Sequence, residues 1–191
     1  MNSHLFPHKY SLLGVQKNVR CVITVLQQPF VSDTAESILF HNPLQNSTLP
    51  KSAALFALLR NFYRLKAEKF ILQRSQYWIQ QMQLQPQKIR FKETVSRWGS
   101  CSSKGSINFN WHLIVYPADV IDYVIVHELA HLRFMNHSKD FWGLVRSHLP
   151  DYKLQRQYLR QNYDLSHFLL HWKANKVPVN PILQPMMTSL R

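Results

Sequence analysis

The chain has 191 residues, 46% hydrophobic and 13% aromatic, which allows one domain with a real core and excludes a disordered composition. Its 4 glycines and 10 prolines include neither G-x-G-x-x-G nor a Walker-type loop, so nucleotide-driven chemistry built on a phosphate loop is excluded. The net charge of +13 favours contact with a polyanion, nucleic acid or a membrane surface, but the cations are spread along the chain with no run of five, so a solvated surface is the better account of them.

No signature of a DNA- or RNA-binding module is present. Cys21 and Cys101 make no C-x-x-C pair and imply no disulfide framework. The N-terminus lacks a signal-peptide pattern, and no apolar run approaches a membrane span. The expectation is a reduced, cytoplasmic protein without a membrane span.

In chain order, residues 1–20 are mixed and polar and yield no element. Residues 19–26 are rich in β-branched side chains and read as a strand, broken by Pro29 and by Ser32, Asp33 and Thr34. Residues 37–40 read as a second short strand and 41–50 as a loop. From Lys51 to about Gln83 runs the longest helical signal, with Ser52 as its cap. Leu55, Leu58, Leu59, Phe62 and Leu65 make one apolar stripe; Phe70, Ile71, Tyr77, Trp78 and Met82 make another. The segment reads as one helix or as two joined near Lys69. Residues 88–95 and 106–113 alternate as half-buried strands, forming a hairpin or neighbours, with a loop over 96–105 between them.

Pro117 and Asp119 mark the start of a helix that continues as an apolar run into His127. Ser138 caps the next helix, whose apolar face is Phe141, Trp142, Leu144, Val145 and Leu149; Pro150 ends it. A last amphipathic helix covers 152–163 with Leu154, Tyr158 and Leu159 inward. Residues 173–191 read as a tail.

Residues 127–131 carry the chemistry: His127-Glu128-Leu129-Ala130-His131, with His137 six residues on. Positions four apart share a helix face, so His127 and His131 can aim two imidazoles at one point. Glu128 then lies beside the metal, placed to take a proton from a water there. Six residues rotate a helix by about 600°, which puts His137 on the far side. For His137 to join, the chain must leave the helix after about Arg133 and double back, and Asn136 tolerates the left-handed conformation that such exits use. Three histidines leave one tetrahedral position open, the catalytic rather than the structural form of a zinc site.

The combination of Arg97-Trp98-Gly99-Ser100-Cys101, Asn110-Trp111-His112-Leu113-Ile114, the helix from Asp122 through Leu132, and Asn136-His137-Ser138 with Phe141-Trp142 resembles the YgjP-like metallopeptidases, relatives of the SprT-like and other zincin enzymes. The resemblance is strong over about residues 85–160. It implies an α+β, zincin-like, helix-rich fold, with a small twisted sheet packed on the active-site helix. It also implies one zinc ion held by His127, His131 and His137, with Glu128 as the catalytic carboxylate. The histidine spacing equals that of metzincins, but Phe134 stands where they have glycine and no methionine turn is recognisable. The expected organisation is a single domain over 1–172 (strands and loop 1–50, helical segment 51–85, catalytic core 86–172) and a tail over 173–191.

The activity so implied is peptide-bond hydrolysis of a peptide or protein substrate. Arg97, Arg133, His148 and Tyr152 are candidate donors to the transition-state oxyanion. The loop of Arg97, Trp98, Gly99 and Ser100 reads in two ways: as a wall of the substrate cleft with a strand edge for an extended peptide, or as a packed turn anchored by Trp98. Cys101 has no activating base beside it and reads as a packed or loop cysteine. Asp122 reads as a partner for a ligand histidine or as a structural group. The competing class is a nucleic-acid-associated protein, either a DNA-recruited protease of SprT-like type or a non-catalytic basic binder. A purely structural zinc domain would have no need of Glu128.

Overall fold

The computed structural model describes residues 9–24, 28–43, 52–94 and 96–162. The chain opens with strands β1 (Lys9–Leu12), β2 (Val15–Thr24), β3 (Phe30–Asp33) and β4 (Ser37–Pro43), which form one sheet in the order β1-β2-β4-β3. β1 and β2 make an antiparallel hairpin, β2 and β4 run parallel, and β3 returns antiparallel to β4. Residues 9–12 and 15–18 thus belong to strands that composition did not reveal. The hairpin turns on two residues, Leu13 at φ 51° and Gly14 at φ 78°, the positive pair that a type I′ turn demands. Leucine in the left-handed region is an unusual turn former, so the turn carries no familiar signal. Its amides donate to the carbonyls of Ile114 and Val115, which holds Leu13 where it is. The expected break at Ser32 and Asp33 is instead the end of β3, and the turn falls at Thr34, whose Oγ1 accepts from the Ser37 amide.

Helix α1 (Ser52–Met82) is continuous, so there is no join near Lys69. Leu59, Tyr63, Ala67, Ile71 and Ser75 form one i+4 row that is fully buried, continued by Trp78 and Met82. Leu58 and Phe62 are buried as the periodicity implies, but Tyr77 is 44% exposed. It lies one position off the row, under the Arg74 guanidinium. The side chains of Ser52 and Leu55 are outside the described ones.

A second sheet follows: β5 (Lys88–Lys92), β6 (Gly99–Cys101) and β7 (Ser106–Asn110), in the order β5-β7-β6. β5 and β7 are the expected neighbours, and they run parallel. The hairpin partner of β7 is β6, an edge strand inside the stretch expected to be loop. After Asn110 the chain turns into a 3-10 helix, Trp111–Val115, with every side chain buried.

Helix α2 (Ala118–Ala130) begins after Pro117 with Asp119 in its first turn, as expected. Val120 to Val126 is buried without interruption, because α2 packs against α1, α3 (Lys139–His148), α4 (Tyr152–Gln161) and β6. Asp122 makes a two-pronged ion pair with Arg74 of α1, the Arg74 Nε reaching Asp122 Oδ1 at 2.7 Å. That pair pins the two long buried helices together, so Asp122 serves the fold and not a histidine. In α4, Tyr152 and Leu159 are buried, whereas Leu154 is 64% exposed and contributes nothing to the core.

The architecture is α+β and zincin-like, with a small sheet lying on the helix that carries the histidines. One apolar cluster joins both sheets and all four helices among the described residues, including Phe40, Tyr63, Phe109, Trp111, Ile125 and Phe141. No described helix is long and apolar enough to cross a membrane. The expected core beyond residue 162 and the tail 173–191 lie outside the described residues.

Candidate metal centre

His127 sits in the last turn of α2, and His131 is the residue that caps it. The helix ends at Ala130, earlier than the expected exit near Arg133. The chain leaves through tight turns, with Leu132 and Arg133 donating to the carbonyls of Leu129 and Ala130. Asn136 is not left-handed: positive φ outside glycine occurs only at Leu13 and Gln83 among the described residues. The reversal is completed at Ser138, whose Oγ accepts from the Phe141 amide and starts α3.

This detour brings His137 back to the helix it left. His137 Nε2 lies 3.1 Å from His127 Nε2, and one ligand atom from each of the three histidines falls within 4.8 Å of the others. His131 Nδ1 lies 3.0 Å from the Phe134 carbonyl, to which it donates in the tautomer that leaves Nε2 free as a lone pair. Phe141, fully buried, packs against all three imidazoles with centroids 4.7–5.0 Å away. Trp142 stacks on His137 at 5.5 Å. The two aromatics that open α3 are therefore the wall that holds the histidines in place.

Two of the three histidines, His127 and His137, are held below the usual imidazole range. Burial, followed by the neighbouring His131, His137 and Arg156, lowers the His127 pKa to about 3. Burial, His131 and Arg156 lower that of His137 as well. Neutral imidazoles with converging nitrogens are the donor set a divalent metal needs. Two neutral rings can share one N–H across 3.1 Å, but a third imidazole nitrogen converges on the same point, the arrangement that a cation takes up. The residues therefore fit a metal ion.

Glu128 is 6% exposed, and its Oε2 is buried with no hydrogen-bond partner among the described residues. Burial lifts its pKa to about 8, against the opposing charge of Arg97. The side chain lies directly on Gly99 of β6: a Cβ there would fall 2.6 Å from Glu128 Cγ. Only glycine leaves the carboxylate its place. An open cleft of about 510 Å³ joins these groups, lined by the three histidines, Glu128, Ser96, Arg97, residues 99–101 and the exposed Met135.

A family model for the YgjP-like metallopeptidase domain matches residues 9–162. The chain belongs to the YgjP-like metallopeptidase family. Membership implies a metal ion, and the three histidines are a cluster able to bind one. The crystal structure of the metallopeptidase zymogen of Pyrococcus abyssi abylysin is similar to this YgjP-like chain at 20% identity, over 49% of this chain and 95% of that one, with a TM-score of 0.44. No curated protein matches the chain.

In this YgjP-like protein the four candidate oxyanion donors separate. Arg97 lines the cleft. Arg133 lies over the Phe134 ring, His148 Nδ1 is 3.1 Å from both Ser147 Oγ and the Leu144 carbonyl, and Tyr152 is buried in a stack with Trp142 and Tyr123. None of these three is among the residues lining the cleft. Of the Arg97–Ser100 segment, Arg97, Gly99 and Ser100 line the cleft, and Trp98 anchors the segment as the packed-turn reading expects. Gly99 makes the close approach, Trp98 packs edge-on against Tyr116 at 5.0 Å, and Ser100 Oγ accepts from Asn108. Cys101 lines the cleft, but burial and the charge of Glu128 raise its pKa, the opposite of an activated nucleophile. Three groups escaped the sequence reading. Met135 borders the cleft, Arg156 lies over Trp142 and acts on two of the histidines, and Asn110 holds the segment carrying Arg97. For Arg156 the sequence holds no signal, because α4 reaches the site only through tertiary packing.

Proposed function

We propose that this metallopeptidase is a single-zinc enzyme that hydrolyses peptide bonds, with His127, His131 and His137 holding the ion and Glu128 as general base. One observation carries the reading: the nitrogens of three histidines converge beside a buried carboxylate with no hydrogen-bond partner among the described residues. Imidazole ligation suits zinc, and by the Irving–Williams order other first-row divalents bind the same donors. Zinc, when bound, supplies a Lewis acid that acidifies water and polarises a carbonyl.

The protein's own groups do the rest. Glu128 accepts the water proton and returns it to the leaving nitrogen, a task suited to a carboxyl that burial lifts toward neutrality. Arg97 supplies the positive charge on the other side of the cleft and is the donor available to a developing oxyanion. β6 is an edge strand, so an extended peptide can add to it and lie across Glu128. The test is metal content by mass spectrometry together with digestion of casein and a quenched peptide library. Stoichiometric zinc with cleavage that chelation abolishes is the expected result; a zinc-loaded protein that cuts no peptide overturns the reading.

A second reading has one specific observation behind it. Lys88, Arg90 and Lys92 are all exposed on one face of β5, and none enters an ion pair among the described residues. Such a row suits nucleic-acid phosphates, though edge-strand cations also guard against aggregation. Binding to DNA that weakens steeply with salt, and is lost in Lys88→Glu/Arg90→Glu, supports it; salt-insensitive or absent binding removes it.

A further inference from the structure

Asn110 is 3% exposed, ends β7, and spends its whole side chain on two neighbouring segments. Its Oδ1 accepts from the His112 amide at 3.1 Å and caps the 3-10 helix. Its Nδ2 donates in the other direction, to the Thr94 carbonyl at 2.7 Å and to the Arg97 carbonyl at 3.3 Å. The Asn110 amide nitrogen donates to the Trp98 carbonyl at 2.8 Å. One residue thus grips three of the carbonyls between 94 and 98, the stretch that leads into Gly99.

That stretch is a thin wall. Ser96, Arg97, Gly99 and Ser100 line the metal cleft on one side and a recess of about 490 Å³ on the other. It carries Arg97, which lines the same cleft as Glu128, and Gly99, which leaves no room for a Cβ against the Glu128 side chain. A small displacement of the wall therefore changes where Glu128 and Arg97 stand relative to each other. Behind Asn110 the anchor is firm: the buried His112 and the Arg60 of α1 both meet Glu93, at 3.3 and 2.6 Å.

We propose that Asn110 is a positioning residue of the active site, a clamp that sets the distance between the Arg97–Gly99 wall and Glu128. The clamp needs the donor end of the amide, while the cap needs only the acceptor end. Aspartate separates the two roles, because it keeps an acceptor for His112 but turns a second oxygen toward the Thr94 and Arg97 carbonyls.

The experiment compares Asn110→Asp, Asn110→Ala, Arg97→Ala and the Asn110→Asp/Arg97→Ala double variant in the full chain. The first readout is amide hydrogen exchange over residues 94–101, with melting temperature and metal content as controls. Exchange at least tenfold faster in Asn110→Asp, at unchanged metal content, is expected; wild-type exchange there overturns the clamp and leaves Asn110 as a cap. The second readout rests on the peptidase reading and uses kcat/KM on a quenched peptide library. Asn110→Asp is expected to lose about 10²-fold, the scale of an ångström misplacement. Arg97→Ala should then cost much less in the Asn110→Asp background than alone, because both act on one feature. Additive losses overturn the proposal. If the wild type cuts nothing while loop exchange responds to aspartate, the peptidase reading falls and the clamp stands.

Discussion

A glycine from each sheet's part of the chain meets one end of helix α2, Gly14 at the Pro117 that precedes it and Gly99 at Glu128 within it, and the two contacts differ in kind. At the N-terminal end, Gly14 in the β1–β2 turn lies so close to Pro117 that a Cβ would fall 2.7 Å from the proline ring, and its φ of 78° already requires glycine. At the C-terminal end, Gly99 of β6 makes an equally tight contact with Glu128, but from ordinary backbone. The first contact sets where α2 begins. The second sets where its carboxylate stands. The same device therefore fixes the start of the helix at one end and the place of a buried carboxylate at the other.

The comparison can be broken at several points. His131→Ala should have the largest effect: zinc stoichiometry by mass spectrometry falls toward zero and peptide cleavage disappears with it. Glu128→Gln should lower turnover by about 10²–10⁴-fold, the range for a lost general base, while the metal remains bound. Retained activity in that variant would remove Glu128 from the mechanism. Gly99→Ala should reduce kcat/KM by about 10²-fold through displacement of the Glu128 side chain, with little change in melting temperature. Gly14→Ala should do the reverse, costing about 1–3 kcal/mol in a denaturant titration for the forced left-handed backbone while metal content is kept. Equal effects of the two alanines on stability and on turnover would erase the distinction between the ends of α2.

The smallest expected effect lies behind the wall, at Glu93. Burial alone would raise its pKa, but hydrogen bonds from His112 and Arg60 overcome that and bring it from 4.5 to about 2. A depressed carboxylate stabilises the fold above the unfolded-state pKa, and that contribution is lost as pH falls through the folded one. Glu93→Gln should therefore lower Tm by a few degrees at pH 7, and the gap should close between about pH 4.5 and 2. A gap that persists at pH 2.5 would assign the effect to packing.

Much of the site was legible because its signals are local. The i, i+4 spacing of His127 and His131 acts within one turn of helix, and the rotation of a helix over six residues already requires a chain reversal before His137. The means of reversal was not legible. The helix ends at Ala130 through tight turns and not through a left-handed Asn136, because carbonyls freed at the helix end accept from Leu132 and Arg133. The strand at residues 9–12 was missed because its turn is made by Leu13, held at positive φ by bonds to residues a hundred positions away. Tyr77 and Leu154 follow an apolar pattern yet face solvent, since periodicity locates a stripe but not its edges.

From the sequence alone follow the donor set, the carboxylate beside it, the apolar helix that carries them and the family they resemble. These depend on residue type and on spacing along one element, which backbone geometry converts directly into position. Tertiary structure decided everything that needs a second element. It put Arg97 on the cleft and Arg133, His148 and Tyr152 off it, joined Asp122 to Arg74 instead of a histidine, placed Phe141 and Trp142 against the imidazoles, and laid Gly99 on Glu128. Those contacts join residues far apart in the chain, and their distances are set by packing, which no local pattern records.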